Sequence, residues 1–227
     1  MDFVISSYTP TLTTLLEPPA TQCSFQGLLV VGQPCTPGQS PLPNVVKELA
    51  QIERLCSDQL HVLSLSGDQA MVESVIAGME MNSWVHLACH AVQDASAPTQ
   101  SAFCLHNGKL TLSMITTKSF PHADFAFLSA CQTATGDEMI SEEAVHLAAG
   151  MLAAGYRSVI ATMWSIKDDD APLIVAEVYH HLVSGLKPDS SRAAHALHYA
   201  VKHLCEQIKG SEQPSFFSWV PFIHVGL

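Results

Sequence analysis

Charge is scarce in this chain, and positive charge is scarcest. Only 14% of residues are charged, and 10 Lys plus Arg face 21 Asp plus Glu, a formal net charge of −11. No stretch gathers Lys and Arg, so the sequence lacks the electrostatic footprint of a protein that binds nucleic acid or an anionic membrane. No apolar run approaches the roughly 20 residues of a membrane-spanning helix. The opening M-D-F-V-I-S-S-Y-T-P has neither the basic n-region nor the apolar length of a secretory signal. N-x-[ST] acceptors with a permitted middle residue are missing. So are Walker A, G-x-G-x-x-G, G-x-S-x-G and H-E-x-x-H, which removes the commonest signatures of nucleotide, dinucleotide, serine-hydrolase and zinc-peptidase chemistry. No metal or cofactor is expected. The seven cysteines are odd in number and sit mostly in apolar runs. They read as free thiols of a reducing compartment, which places the protein in the cytoplasm or nucleus.

What is present is a packed globular composition, with 48% hydrophobic residues in 227. That suits one α/β domain over residues 1–227, entered by a Thr-, Ser- and Pro-rich arm over residues 1–26. Gly27 to Val31, His61 to Leu65, Trp84 to Cys89, Phe125 to Ala130, Arg157 to Trp164 and Trp219 to Val225 read as strands. Between them, Val45, Val46, Leu49, Ile52, Leu55 and Cys56 have helical spacing. So do Met71, Val75, Ile76 and Met79, with Asp68 as a candidate N-cap. Ser141, Glu142 and Glu143 suit the start of a further helix that Gly155 would end. Pro172 suits the first turn of the next, and Asp189 or Ser190 caps the last. Asn107-Gly108 signals a hairpin between short strands in 102–112. Strands alternating with helices predict a mostly parallel sheet, helices on both faces, with that hairpin inserted.

The chemistry concentrates at two strand ends. The run D-F-A-F-L-S-A-C ends at Cys131 and is broken by Thr135, Gly136 and Asp137. The strand W-V-H-L-A-C ends at His90, 41 residues upstream. If the two strands are parallel neighbours, their carboxyl ends lie about 5 Å apart at the backbone. Ligands and reacting groups collect at such ends in open α/β sheets. A histidine there can take the proton of a thiol, and the thiolate can attack a carbonyl. The competing reading is that Cys131 is an inert core thiol, the commoner fate of a buried cysteine. His86 and His90 do not form a helical metal pair, since four residues of strand span about 13 Å. Cys104 and His106 flank the hairpin without a matching ligand pair, and His195, His198 and His203 read as a partly exposed helix face.

The segments W-V-H-L-A-C-H-A (84–91), L-S-A-C-Q-T-A-T-G-D (128–137), A-A-G-Y-R-S-V-I-A-T-M-W (153–164) and W-V-P-F-I-H-V-G (219–226), with the opening S-S-Y-T-P-T-L-T-T-L-L (6–16), resemble the CHAT domain family. These are caspase-like cysteine peptidases related to separase, and the chain looks most like the fungal members. The resemblance implies a caspase-like three-layer sandwich. It also implies a regulated endopeptidase with a protein or peptide substrate, His90 as general base and Cys131 as nucleophile. Backbone N–H groups of Ala91 and Cys131 would form the oxyanion hole. The family usually has glycine after the histidine; Ala91 keeps the N–H but would be strained at a positive φ. Separase-like relatives carry acids past the fifth strand. By that likeness, Asp168 first and Asp170 second would pair with a substrate Arg or Lys. A solvated first helical turn is the plainer account of Asp168 to Asp170. Tetratricopeptide sensor repeats, frequent in the family, would be absent here or carried by another protein. The alternative function is a catalytically silent CHAT module that binds partners as a signalling scaffold.

Overall fold

A computed structural model describes residues 4–9, 24–94, 96–129, 131–132, 144–162, 171–208 and 221–226. The apolar runs become strands of one six-stranded sheet. They are β1 (Leu28–Gly32), β2 (Val62–Ser66), β3 (Trp84–Ala88), β7 (Phe125–Leu128), β9 (Ser158–Thr162) and β10 (Phe222–Gly226), in the order β10-β9-β7-β3-β1-β2. All neighbours are parallel except β10, which runs antiparallel to β9. A smaller sheet, in the order β6-β5-β4-β8, is made of β4 (His90–Val92), β5 (Ala102–Cys104), β6 (Lys109–Thr111) and β8 (Cys131–Gln132).

The central strands are covered on both faces, which explains their unbroken apolar character. Period-two alternation sorts them. Leu28, Val30, Trp84, Phe125, Phe127 and Ile160 face one layer, formed by α1 (Asn44–Cys56), α5 (Ala171–Val183) and α6 (Ala193–Ile208). Leu29, Val31, Val85, Leu87, Ala126 and Val159 face the other. That layer holds α2 (Val72–Met81), α3 (Leu112–Thr116) and α4 (Ala144–Ala153). Trp84 anchors the first layer. Its ring lies edge-on to Phe25 at 5.2 Å and to Phe125 at 5.5 Å, and its Nε1 donates to Asp124 Oδ2 at 2.9 Å. Each such aromatic pair is worth about 0.5–1.5 kcal/mol beyond the area it buries.

Several expectations change in detail. Asp68 does not cap α2: the helix starts after Met71, and Asn107 Oδ1 accepts from Val72 N at 2.9 Å. The cap comes from the β5–β6 hairpin, which is thereby docked on the helix. The hairpin itself is present, but Cys104 pairs with Lys109 and neither Asn107 nor Gly108 has a positive φ. The connection is therefore a four-residue loop rather than a tight mirror-image turn. Gly155 does end α4, at φ +108, where a side chain would be strained. The Ser141 cap and its two acids lie outside the described residues.

Strand order reverses at β1. The chain leaves β1 to form β2 on one side, then returns to form β3 on the other. A crevice opens at such a switch point, beyond the carboxyl ends of the two strands. Two segments start there: the proline-rich loop 33–43 after β1, and His90 after β3.

At the far edge, Tyr8 makes an isolated parallel bridge to Val225 of β10. Tyr8 N donates to His224 O at 2.9 Å and Gly226 N to Tyr8 O at 2.8 Å. His224 is 2% exposed, with Ser7 Oγ at 2.7 Å from Nδ1 and Ser158 Oγ at 2.8 Å from Nε2. Both hydroxyls can serve a neutral ring, and burial lowers the His224 pKa from 6.5 to about 4. Between those values the unfolded chain binds the proton and the folded chain does not. His224 therefore favours the folded state fully above the unfolded pKa, and that contribution is lost as pH falls toward 4. We expect urea denaturation to show stability falling by up to about 3 kcal/mol over that window. The decline should be clearly shallower in His224→Gln, and an equal decline in both proteins would contradict this origin.

Candidate active site

The register of two strand pairs builds the site. β3 and β7 pair in parallel from Trp84↔Phe125 to Leu87↔Leu128. Both chains then leave the large sheet and pair again in the small one, as β4 and β8, with His90 opposite Cys131 and Ala91 opposite Gln132. The two sequence-predicted residues are thus brought to directly opposed backbone positions at the switch-point rim. On its other side, β4 pairs antiparallel with β5, placing His90 opposite Cys104. The order across the small sheet is Cys104, His90, Cys131.

His90 is 2% exposed, and its Nε2 lies 2.7 Å from the backbone carbonyl of Ser40. A carbonyl can only accept, so the contact calls for a proton on Nε2, and in the neutral ring the lone pair is then on Nδ1. Nδ1 is buried and has no hydrogen-bond partner among the described residues. An imidazole held this way has one nitrogen tied to the loop and the other unpaired among the described residues. Ser40 precedes Pro41, and its side of the contact belongs to the backbone, so no side-chain pattern in the sequence pointed to it.

The same loop reaches Cys104. Gln39 Nε2 donates to Cys104 Sγ at 3.3 Å, while Gln39 Oε1 and Thr36 Oγ1 are buried without partners among the described residues. A buried acceptor left unpaired costs about 1–3 kcal/mol. Cys104 was visible in the sequence only as a hairpin cysteine; its alignment with His90 follows from strand register alone.

Ala91 lies in β4, is 1% exposed, and has no positive φ. The strain foreseen for alanine at this position is therefore absent. Asp168 and Asp170 lie outside the described residues. Among the described residues no three His, Cys, Asp or Glu are grouped to hold a metal ion.

Beneath the rim lies a polar network that sequence reading missed. His86, on β3 four residues before His90, points into the α1/α5 layer and is fully buried. Its Nε2 lies 2.9 Å from Glu48 Oε1 of α1, and its Nδ1 lies 3.2 Å from Tyr179 Oη of α5. All three groups are satisfied when Nε2–H donates to the carboxylate and the phenol O–H donates to Nδ1. Burial first, and then the neighbouring Cys56 and Glu48, which also disfavour a phenolate, push the Tyr179 phenol well up, so the hydroxyl keeps its proton to donate. Burial likewise raises the Cys56 thiol to about 12. The missed signal was Glu48 itself, a charged residue at a position that the spacing of Val45, Leu49 and Ile52 puts on the apolar face. The network joins α1, which follows the Ser40 loop, to β3, which leads to His90, and to α5.

The fold has solved counterparts. The chain is similar to the crystal structure of the Arg-specific cysteine proteinase gingipain R (RgpB), at 11% identity and a TM-score of 0.52 over 89% of this chain and 46% of that one. It is also similar to the complex of the Porphyromonas gingivalis RgpB pro- and mature domains, at 10% identity and a TM-score of 0.53 over 89% and 47%. The chain spans about half the length of these proteins. No curated protein sequence matches it. The likeness shows the fold: a caspase-like α/β sandwich, shared with these proteinases. Within that fold the CHAT domain matches residues 2–227, and the chain belongs to the CHAT domain family.

Removing Glu48 leaves a buried imidazole N–H without its short contact to a carboxylate, whereas removing the Tyr179 hydroxyl leaves Nδ1 without a longer, neutral donor. Urea denaturation should show Glu48→Ala losing about 3 kcal/mol or more and Tyr179→Phe about 1 kcal/mol. The reverse order would contradict the network as drawn.

Proposed function

We propose that this CHAT domain is a cysteine endopeptidase that cleaves a protein substrate with a His90/Cys131 dyad. The observation that carries the reading is the opposed register of His90 and Cys131 together with the Ser40 carbonyl on His90 Nε2. With Nε2 so engaged, Nδ1 is the atom that takes the thiol proton. The thiolate attacks the scissile carbonyl, and the imidazolium, steadied by Ser40, returns the proton to the leaving amine. Water then hydrolyses the thioester. The developing oxyanion is assigned to backbone N–H groups at Ala91 and Cys131. Neither metal nor cofactor enters the scheme. Asp168, with Asp170 as second choice, is assigned to a cationic residue before the cleaved bond. The setting is regulated signalling in the cytoplasm, in a fungal-type, separase-related member of the family. Its activating partner would be a tetratricopeptide-repeat sensor outside this chain.

One observation favours a second reading, in which the domain keeps the fold as an interaction scaffold. His90 is 2% exposed beneath the 33–43 loop, so the base is covered in this state.

Labelling with a thiol-reactive peptide probe separates the two. On the peptidase reading, Cys131→Ala and His90→Ala each abolish labelling and peptide hydrolysis, while full activity in either variant ends it. In a fluorogenic panel, cleavage should favour Arg or Lys before the scissile bond. Equal cleavage after Arg, Asp and Ala would remove the role given to Asp168 and Asp170. Because Ala91 sits in unstrained extended backbone, Ala91→Gly should not raise kcat and should lower stability by about 0.5–1 kcal/mol.

A further inference from the structure

The Gln39 side chain is held by less than it could use. Its amide donates to a thiol sulfur, a weak acceptor, at 3.3 Å, and its carbonyl oxygen has no partner among the described residues. Thr36, whose carbonyl accepts from Gln39 N at 3.1 Å, has a hydroxyl in the same condition. Buried polar groups are nearly always paired, so unsatisfied atoms on two residues of one turn call for an explanation. Gln39 is partly exposed, and Gly38 beside it has open space around it at φ +78. The amide can therefore swing away from Cys104 without disturbing the core.

The position of Gln39 says what it would meet. Across the small sheet the order of opposed positions is Cys131, His90, Cys104, and Gln39 lies on Cys104. On the dyad reading above, on which this inference rests, the acyl half of the substrate is held at Cys131. The leaving amine collects its proton from His90. The segment behind that amine then continues past His90, away from Cys131, toward β5 and Gln39. An extended peptide passing there presents alternating N–H and C=O groups. A glutamine amide, with one donor group and one acceptor, pairs with such a main chain, and the Thr36 hydroxyl can take a further N–H. No charged side chain takes part in the contacts that Gln39 and Thr36 make, which suits neutral peptide amides rather than an ion.

We propose that Gln39 and Thr36 form the subsite for the main chain on the leaving-group side of the scissile bond. Gln39 leaves the sulfur of Cys104 to pair with a peptide unit of the substrate. The subsite reads backbone amides and not a particular side chain, so it contributes to affinity for extended polypeptide whatever its sequence.

Two measurements test this. In the first, tetra-alanine amide with a free N-terminus is added to the isotopically labelled full chain, and the Gln39 side-chain NH2 resonances are followed. They should shift on titration. The same peptide methylated at its second and third amide nitrogens should bind about tenfold more weakly, as expected for one lost hydrogen bond of ordinary strength. Gln39→Ala should weaken the unmethylated peptide by a similar factor. No shift at Gln39, or equal binding of the two peptides, overturns the proposal. In the second, quenched peptides spanning the scissile bond are compared with coumarin amides of the same N-terminal halves. Gln39→Ala should lower kcat/KM for the spanning peptides about tenfold more than for the coumarin amides. Equal losses overturn the subsite. If the wild-type chain cleaves neither substrate, the dyad reading fails, while the resonance titration still decides for or against Gln39.

Discussion

The parallel pairing of β3 with β7 is the constraint on which the site depends. These strands are the fourth and third in the large sheet counted from β10, so each is flanked and covered on both sides. Their register is fixed by side chains that alternate between two separate cores. A slip by one residue would turn Trp84 and Phe125 into the layer built for Val85 and Ala126. Because both strands cross into the small sheet at their carboxyl ends, that register is carried to His90 and Cys131. The geometry of two residues at the rim is thus paid for in the middle of the domain.

A second layer of control is polar. The carbonyl of Ser40 selects the tautomer of His90, and the ring of His86 ties together three elements that approach the rim. Whether such buried polar groups add net stability depends on complete pairing, and the His86 group is completely paired. The loop 33–43 is not: its Gln39 and Thr36 retain unsatisfied atoms against the same small sheet. The fold therefore combines a settled polar network below the rim with an unsettled one above it. Unsatisfied groups of this kind are expected where a chain is made to bind something rather than only to fold.

The sequence was most legible where one pattern had one explanation. The apolar runs of β1, β3, β7 and β9 could hardly be anything but buried strands, and Gly155 and Pro172 marked helix boundaries for plain steric reasons. The pairing of His90 with Cys131 was legible as a condition, that their strands be neighbours, and the strand order meets it. What stayed hidden depended on distant partners. Asn107, and not Asp68, caps α2, because a docked hairpin can supply an acceptor as well as the preceding residue can. Ser40 acts through its backbone, which every residue possesses. Glu48 was in plain view as a charge on an apolar helix face, and its meaning required knowing that His86 lay beneath it. The strain feared at Ala91 rested on a dihedral angle that sequence does not record.

The bridge between Tyr8 and β10 has an architectural consequence. Tyr8 and Val225 are neighbours across a sheet edge, so the first described segment of the chain lies beside its last described strand. Two segments so far apart in sequence that meet at one edge could be joined by a short link in circularly permuted order without stretching the core between them. Such a link would lie at the opposite end of the sheet order from β2 and three strands from β3.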